Sequence, residues 1–413
     1  MTFHSVDGLK LPGLVFRSML LVVLVFQATA LKYIWGLEDF SRFINLLLLA
    51  GLLLYILIGV FKLRLKINLW LFCVFPSVFI VCGVILNLIM NYMSGFSNFA
   101  LFGFVIPWIA MISVPIFSKR YKNIDEKLWK AFYYFMIFCV VSSLLDIFLL
   151  YYGYNSLNEI ETSGGDFSAG YFTLFYKNDF GIVELRNYSS FLEPGSFAMF
   201  LLPAIAWSIY NRRYLGFFVL MVGMLSAQSL GAFVSLFFLF FSIYMVQGNS
   251  SLAARAVGLL LLVSVSLSVY GYLEYSYENK GGSRETRVTN IEDGFSNLGD
   301  FFISKPLGFS FNSNSLDNDD GSNSYATVMP IYYFVVGGVF GFLGYLAFLL
   351  VLLFFVFKSF FIYKLSLYEK VISVCILPAF VLIFQRSTIF ESAVFALLFF
   401  PTIYRRFESE RAV

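Results

Sequence analysis

Twelve apolar runs punctuate the chain, near 13–34, 43–61, 68–92, 99–117, 128–152, 195–210, 214–226, 229–246, 252–272, 326–357, 371–385 and 388–403. A hydrocarbon core of roughly 30 Å asks about 20 apolar residues of a helix, so the pattern predicts about twelve membrane-spanning helices. Two of the runs are interrupted. The stretch 214–246 is broken at Ser226-Ala-Gln-Ser229, which fits either two short helices or one long tilted one. The run 326–357 contains Gly337-Gly338, where a re-entrant piece could meet a full span.

Between the runs, basic residues fall on alternate connections. Lys62, Arg64 and Lys66 fill the second, and Lys119, Arg120, Lys122 and Lys127 fill the fourth. Arg212, Arg213, Arg255, Lys358, Lys364, Lys370, Arg405 and Arg406 continue the series. Such a bias marks the cytoplasmic face, so both termini are expected there. The opposite face receives two large polar loops. The first, 153–189, has five acids against two bases, a net of −3; the second, 273–325, has nine acids against four bases, a net of −5.

Composition agrees with this reading. The 413 residues are 60% hydrophobic and 13% charged, where soluble domains run near about a quarter charged. Cys73, Cys82, Cys139 and Cys375 all sit inside apolar runs and read as small buried hydrophobes, not as a disulfide or zinc framework. The first apolar run has no small-residue cleavage pattern and is expected to be a retained span. Together these features predict an all-α polytopic integral membrane protein, a single membrane domain over 1–413 with two large outer loops.

The stretch Arg186-Asn-Tyr-Ser-Ser-Phe-Leu-Glu-Pro-Gly195 stands where the first loop gives way to an apolar helix. It places a guanidinium and a carboxylate, Arg186 and Glu193, at a membrane rim, where an ionisable group has a functional reading by default. Against that, Arg186 could snorkel to the headgroups, and Glu193-Pro194 is ordinary chemistry for a helix N-terminus. The second loop carries Arg284, Arg287 and the acidic run Asp317, Asp319 and Asp320. That run lacks the spacing of a known cation-binding loop, so no metal is expected. Acidic, oxygen-rich loops suit a sugar better than nucleic acid, which needs a basic face. Ser226, Gln228 and Ser229 are expected to satisfy helix ends. Asp146 and Glu391, inside apolar runs, are buried polar glue or proton-relay elements, with the structural role preferred. His4 is a tail residue.

In order along the chain, three features resemble the Wzy-type polysaccharide polymerases and the related O-antigen ligases. Arg186 with Phe191-Leu-Glu-Pro-Gly195 is similar to that family's first outer-loop motif. Leu225-Ser-Ala-Gln-Ser-Leu-Gly231 is similar to its serine-rich helix break. Lys305-Pro-Leu-Gly-Phe309, Ser322-Asn-Ser-Tyr325 and Gly337-Gly-Val-Phe-Gly-Phe-Leu-Gly344 are similar to its second outer loop and the glycine-rich helix that follows. The resemblance covers roughly 180–360. It implies a GT-C-like membrane glycosyltransferase of the bacterial inner membrane, with periplasmic loops over a lipid-facing cleft. The implied donor and acceptor are glycans on an undecaprenyl diphosphate carrier, with no cofactor and with a chain-length-regulating co-polymerase as a candidate partner. Ligases carry a histidine beside an asparagine at the position of Ser322; the one histidine here is His4, which argues against a ligase. Polymerases typically pair an arginine with a later glycine in each outer loop; Arg186 before Gly195 and Arg287 before Gly299 follow that order approximately.

The implied transfer needs a cation on the departing diphosphate, an oriented acceptor hydroxyl and an apolar groove. Arg186, Arg284, Arg287 and Arg386 are candidates for the first, since a guanidinium pairs phosphate oxygens and stays charged. Glu193, Asp319 and Asp320, with Asp317, are candidates for a base. Asn187, Tyr188, Ser322, Asn323 and Tyr325 are candidates for holding substrate. A lipid-linked glycan flippase or transporter is the competing function; it would show broken helices and charges at the bilayer midplane and paired repeats.

Overall fold

The computed structural model describes residues 11–62, 67–93, 104–113, 124–153, 158–162, 165–177, 187–191, 194–246, 295–309, 329–361, 365–382 and 392–410. Helix occurs in eleven of the twelve expected runs, and the remaining run, 252–272, lies outside the described residues. By length and composition, three helices among the described residues can cross a membrane, with windows Asp39–Leu57, Asp125–Tyr151 and Met329–Phe360; several shorter apolar helices accompany them.

The residues gather into two compact units, one formed by Met1–Leu65, Ser113–Ala232 and Glu391–Val413, the other by Lys66–Ile112 and Phe233–Phe390. In the first unit, α1 (Leu11–Val23) runs into a π-helical turn, Leu24–Ala28, and stops at Thr29 before the short α2 (Leu31–Ile34). The expected single span 13–34 is therefore interrupted. A π-turn strands backbone groups, and here polar side chains take them up: the Thr29 hydroxyl donates to Val25 O (3.1 Å) and the Ser41 hydroxyl to Phe26 O (3.4 Å). Ser41 belongs to α3 (Glu38–Lys62). This helix turns Phe43, Leu46, Leu47, Leu54 and Leu57 outward, more than half exposed, a pattern that water would penalise and a bilayer would not.

In the second unit α4 (Ile67–Met93), with Pro76 inside it, and α5 (Phe104–Ser113) pack on a long glycine-bearing helix described below. The first unit continues with α6 (Ile124–Tyr151). Three antiparallel strands follow in the first loop, β1 (Asn158–Thr162), β2 (Gly165–Ala169) and β3 (Leu174–Tyr176), in the order β1-β2-β3. Among the described residues the all-α expectation thus holds for the apolar runs and not for this loop, where Phe167, Leu174 and Phe175 of the strands are buried. Lys177 pairs with Glu159 across it.

The chain then forms α7 (Pro194–Tyr210) and α8 (Tyr214–Ser226). α9 (Leu230–Val246) begins after a break at Ala227–Ser229, so the 214–246 run is two helices rather than one tilted rod. The short α10 (Leu298–Ser304), α11 (Met329–Phe361) and α12 (Leu367–Leu382) belong to the second unit. The last apolar run divides at Phe399 into α13 (Ala393–Leu398) and α14 (Phe400–Glu410), whose Arg405 pairs with Asp125 at the start of α6.

Candidate functional site

Two buried polar knots, one in each unit, involve the described parts of the motifs that the sequence singled out. The first is built on the turn Asn187–Phe191. Asn187 is fully buried, and its amide is engaged on both sides. Nδ2 donates to Ser143 Oγ (3.0 Å) on α6 and to Ser226 Oγ (2.8 Å) at the end of α8, while Oδ1 accepts the Ser189 N–H at 2.8 Å. The Asn187 N–H donates to Ser226 O (3.1 Å), a carbonyl freed by the end of its helix. Ser143 and Ser226 have already given their own protons to Val140 O and Gly223 O, so both must accept from Asn187.

Ser189 takes a left-handed φ of 49° and sends its hydroxyl to Cys139 O at 3.0 Å. Its carbonyl receives Leu174 N–H of β3 at 3.0 Å. Ser190 donates to Phe172 O at 2.6 Å, and its carbonyl accepts the Ala30 N–H at 2.6 Å, at the break between α1 and α2. A few residues of loop therefore tie together α1, α6, α8 and the sheet. Each bond is worth about 1 kcal/mol net, and leaving a buried donor unpaired costs about 1–3 kcal/mol.

Asp146 fastens the same loop from below. Its side chain is 3% exposed near the end of α6, and Oδ2 accepts the Phe172 N–H at 2.7 Å. Gly170 passes so close that a Cβ there would stand 2.7 Å from that oxygen. Of the two roles open to Asp146, glue for the β2–β3 turn is the one its contacts support.

The second knot lies in the other unit, at Gly338 of α11, where φ 59° and ψ −152° break the helix. In a straight helix, residues eight apart are separated by about 12 Å. Here a Cβ on Gly341 would lie 2.3 Å from Tyr333 O, and the Tyr333 and Tyr345 rings stack with centroids 4.1 Å apart. The two limbs fold against one another. Trp108 of α5 stands edge-on to both Tyr333 and Phe348 beside them.

The break exchanges hydrogen bonds with the Lys305–Phe309 segment. Val339 N–H, deprived of its helical partner, donates to Pro306 O at 2.9 Å, and Val335 O receives the Phe309 N–H at 2.9 Å. Asn87 of α4 then donates to both Phe309 O and Val335 O at 3.3 Å. Lys305 lies over the Phe309 ring, its ammonium 4.2 Å from the centroid. The segment reaches this close only because Gly308 and Gly338 carry no side chain: a Cβ on Gly338 would be 2.3 Å from Pro306 O. α4 approaches through Gly83, where a Cβ would meet Gly337 O at 2.3 Å, in the manner of small-residue contacts between membrane helices.

Of the residues expected to bind or react, Asn187 and Tyr188 are described. Asn187 is a fastener, and Tyr188, 7% exposed, packs its ring edge-on to Phe167 at 5.9 Å. Arg186, Glu193, Arg284, Arg287, Asp317, Asp319, Asp320, Ser322, Asn323, Tyr325 and Arg386 lie outside the described residues, as does Glu391. Sequence reasoning passed over Asn87 and Ser143, and quoted Ser189 and Ser190 only as part of the Arg186–Gly195 stretch. Asn87 had a signal of its own, an amide inside the apolar run Val84-Ile-Leu-Asn-Leu-Ile-Met90. Among the described residues no cluster of histidine, cysteine, aspartate and glutamate could hold a metal ion.

These features define a mostly helical protein with apolar helices suited to a membrane. No family model matches the chain, and no curated protein matches it.

Proposed function

We propose that the chain is a GT-C-like membrane glycosyltransferase that polymerises oligosaccharide repeats carried on undecaprenyl diphosphate. The growing glycan leaves its carrier for the next carrier-linked repeat at the periplasmic face of the bacterial inner membrane. The observation that carries this reading is the Asn187 knot. It fastens Asn187, the residue next to Arg186, to α6 and α8, while Ser189 and Ser190 of the same turn hold the sheet and the α1–α2 break. A guanidinium needs such rigidity if it is to meet a leaving diphosphate in fixed geometry. The order of the motifs supports it further, since Ser226 of the serine-rich break is what Asn187 grips. In this reading Arg186 and Arg287 neutralise the diphosphate, and an outer-loop carboxylate such as Glu193 orients the acceptor hydroxyl.

A second reading, a lipid-linked glycan flippase without chemistry, draws on the break at Gly338, because interrupted helices are a transporter device. The two separate in cells. Arg186→Ala and Arg287→Ala should each abolish long polymer while the protein is still inserted and expressed, with single repeats accumulating on the periplasmic side. Loss of about a hundredfold is the scale for one transition-state contact. Full-length polymer in both variants refutes the diphosphate role, and repeats stranded on the cytoplasmic side favour the flippase.

A further inference from the structure

Within the second unit, α4 and α11 are in glycine contact from Gly83 to Gly344, where a Cβ would meet Pro76 O at 2.8 Å. Just beyond, from Ala347, a groove of about 1010 Å³ opens between them, lined by Phe75, Pro76, Leu350, Phe354 and Phe357 among others, all apolar. Its lining on α11 runs from Ala347 to Phe357, ten residues or about 15 Å, which is the depth of one leaflet. One residue past its end stands Lys358, half-buried, with its ammonium 5.6 Å from the centroid of the Phe354 ring that lines the groove. Twenty residues, about 30 Å of helix, separate Lys358 from Gly338, where the second-loop segment Lys305–Phe309 docks. The groove is therefore at the far end of this limb from the loop.

We propose that this groove binds an anionic glycerophospholipid, acyl chain between α4 and α11 and phosphate beside Lys358. An open apolar groove as long as one leaflet is deep, with the Lys358 ammonium at its headgroup end, matches that amphiphile in length and charge. The basic connections place the same end at the cytoplasmic leaflet, where anionic lipid collects. The site is independent of the glycosyltransferase reading, whose carrier diphosphate is handled at the opposite face.

The test uses the full chain, purified in mild detergent and stripped of lipid. Binding of fluorescent phosphatidylglycerol and of phosphatidylcholine with identical chains is titrated. Phosphatidylglycerol should bind about fivefold tighter, the increment of one basic residue near a charged headgroup. Lys358→Gln should erase that preference by weakening phosphatidylglycerol more than phosphatidylcholine, Lys358→Arg should keep it, and Ala347→Phe should weaken both lipids by filling the groove. Equal binding of the two lipids to the wild type overturns the proposal, as does a preference that survives Lys358→Gln. Displacement of phosphatidylglycerol by equimolar undecaprenyl phosphate also overturns it, because the slot would then be a carrier site.

Discussion

Replacing Asn187 by alanine removes three side-chain hydrogen bonds at once: two donated to Ser143 and Ser226 and one accepted from the Ser189 N–H. At about 1 kcal/mol each the loss is about 3 kcal/mol. Polar contacts between membrane helices average nearer about 0.6 kcal/mol, which lowers the sum to about 2 kcal/mol. Local opening of the 187–191 turn should therefore become roughly 30- to 100-fold more frequent, at about 1.4 kcal/mol per factor of ten. Limited trypsin digestion in detergent reads this, since cleavage of a briefly opened segment follows the open population. Lys177 and Arg186 supply cut sites next to the turn. Ser143→Ala, which takes away one acceptor, should accelerate cleavage only about fivefold, corresponding to about 1 kcal/mol. If Asn187→Ala is cut at the wild-type rate, or more slowly than Ser143→Ala, then the amide is not what fastens the loop.

Two further outcomes follow from close contacts. Gly338→Ala puts a Cβ 2.3 Å from Pro306 O at a φ of 59°, so melting in detergent should fall sharply; Gly36→Ala, at φ 64° with open space around it, should fall much less. Gly170→Ala pushes the β2–β3 turn off the Asp146 carboxylate, costing about 1–3 kcal/mol, and should raise trypsin cleavage at Lys177 while melting of the protein changes little.

Apolar periodicity placed the helices because the requirement is local: a backbone in hydrocarbon must bond to itself, and about 20 apolar residues suffice to specify that. The breaks at Ser226–Ser229 and Gly337-Gly338 were legible for the same reason, as serine and glycine interrupt an apolar helix wherever they stand. The three-stranded sheet was not, because Asn158–Tyr176 shows no clean alternation of apolar and polar residues. Its β2–β3 turn and β3 are held by Asp146 and by the Ser189 carbonyl, which lie outside the three strands.

Motif order brought Arg186–Gly195, the serine break, Lys305–Phe309 and the glycine-rich helix into view, yet it said nothing of which pairs touch. Only the tertiary structure decided that Asn187 closes on Ser226 and that Pro306 and Phe309 take the bonds Gly338 sets free. It also turned Asn87 from an anonymous amide into the donor that bridges those two strands of backbone. The physical reason is that a stranded N–H or carbonyl accepts any partner of suitable geometry. The sequence determines that such groups exist, while the partner is chosen by packing between residues dozens to hundreds of positions apart.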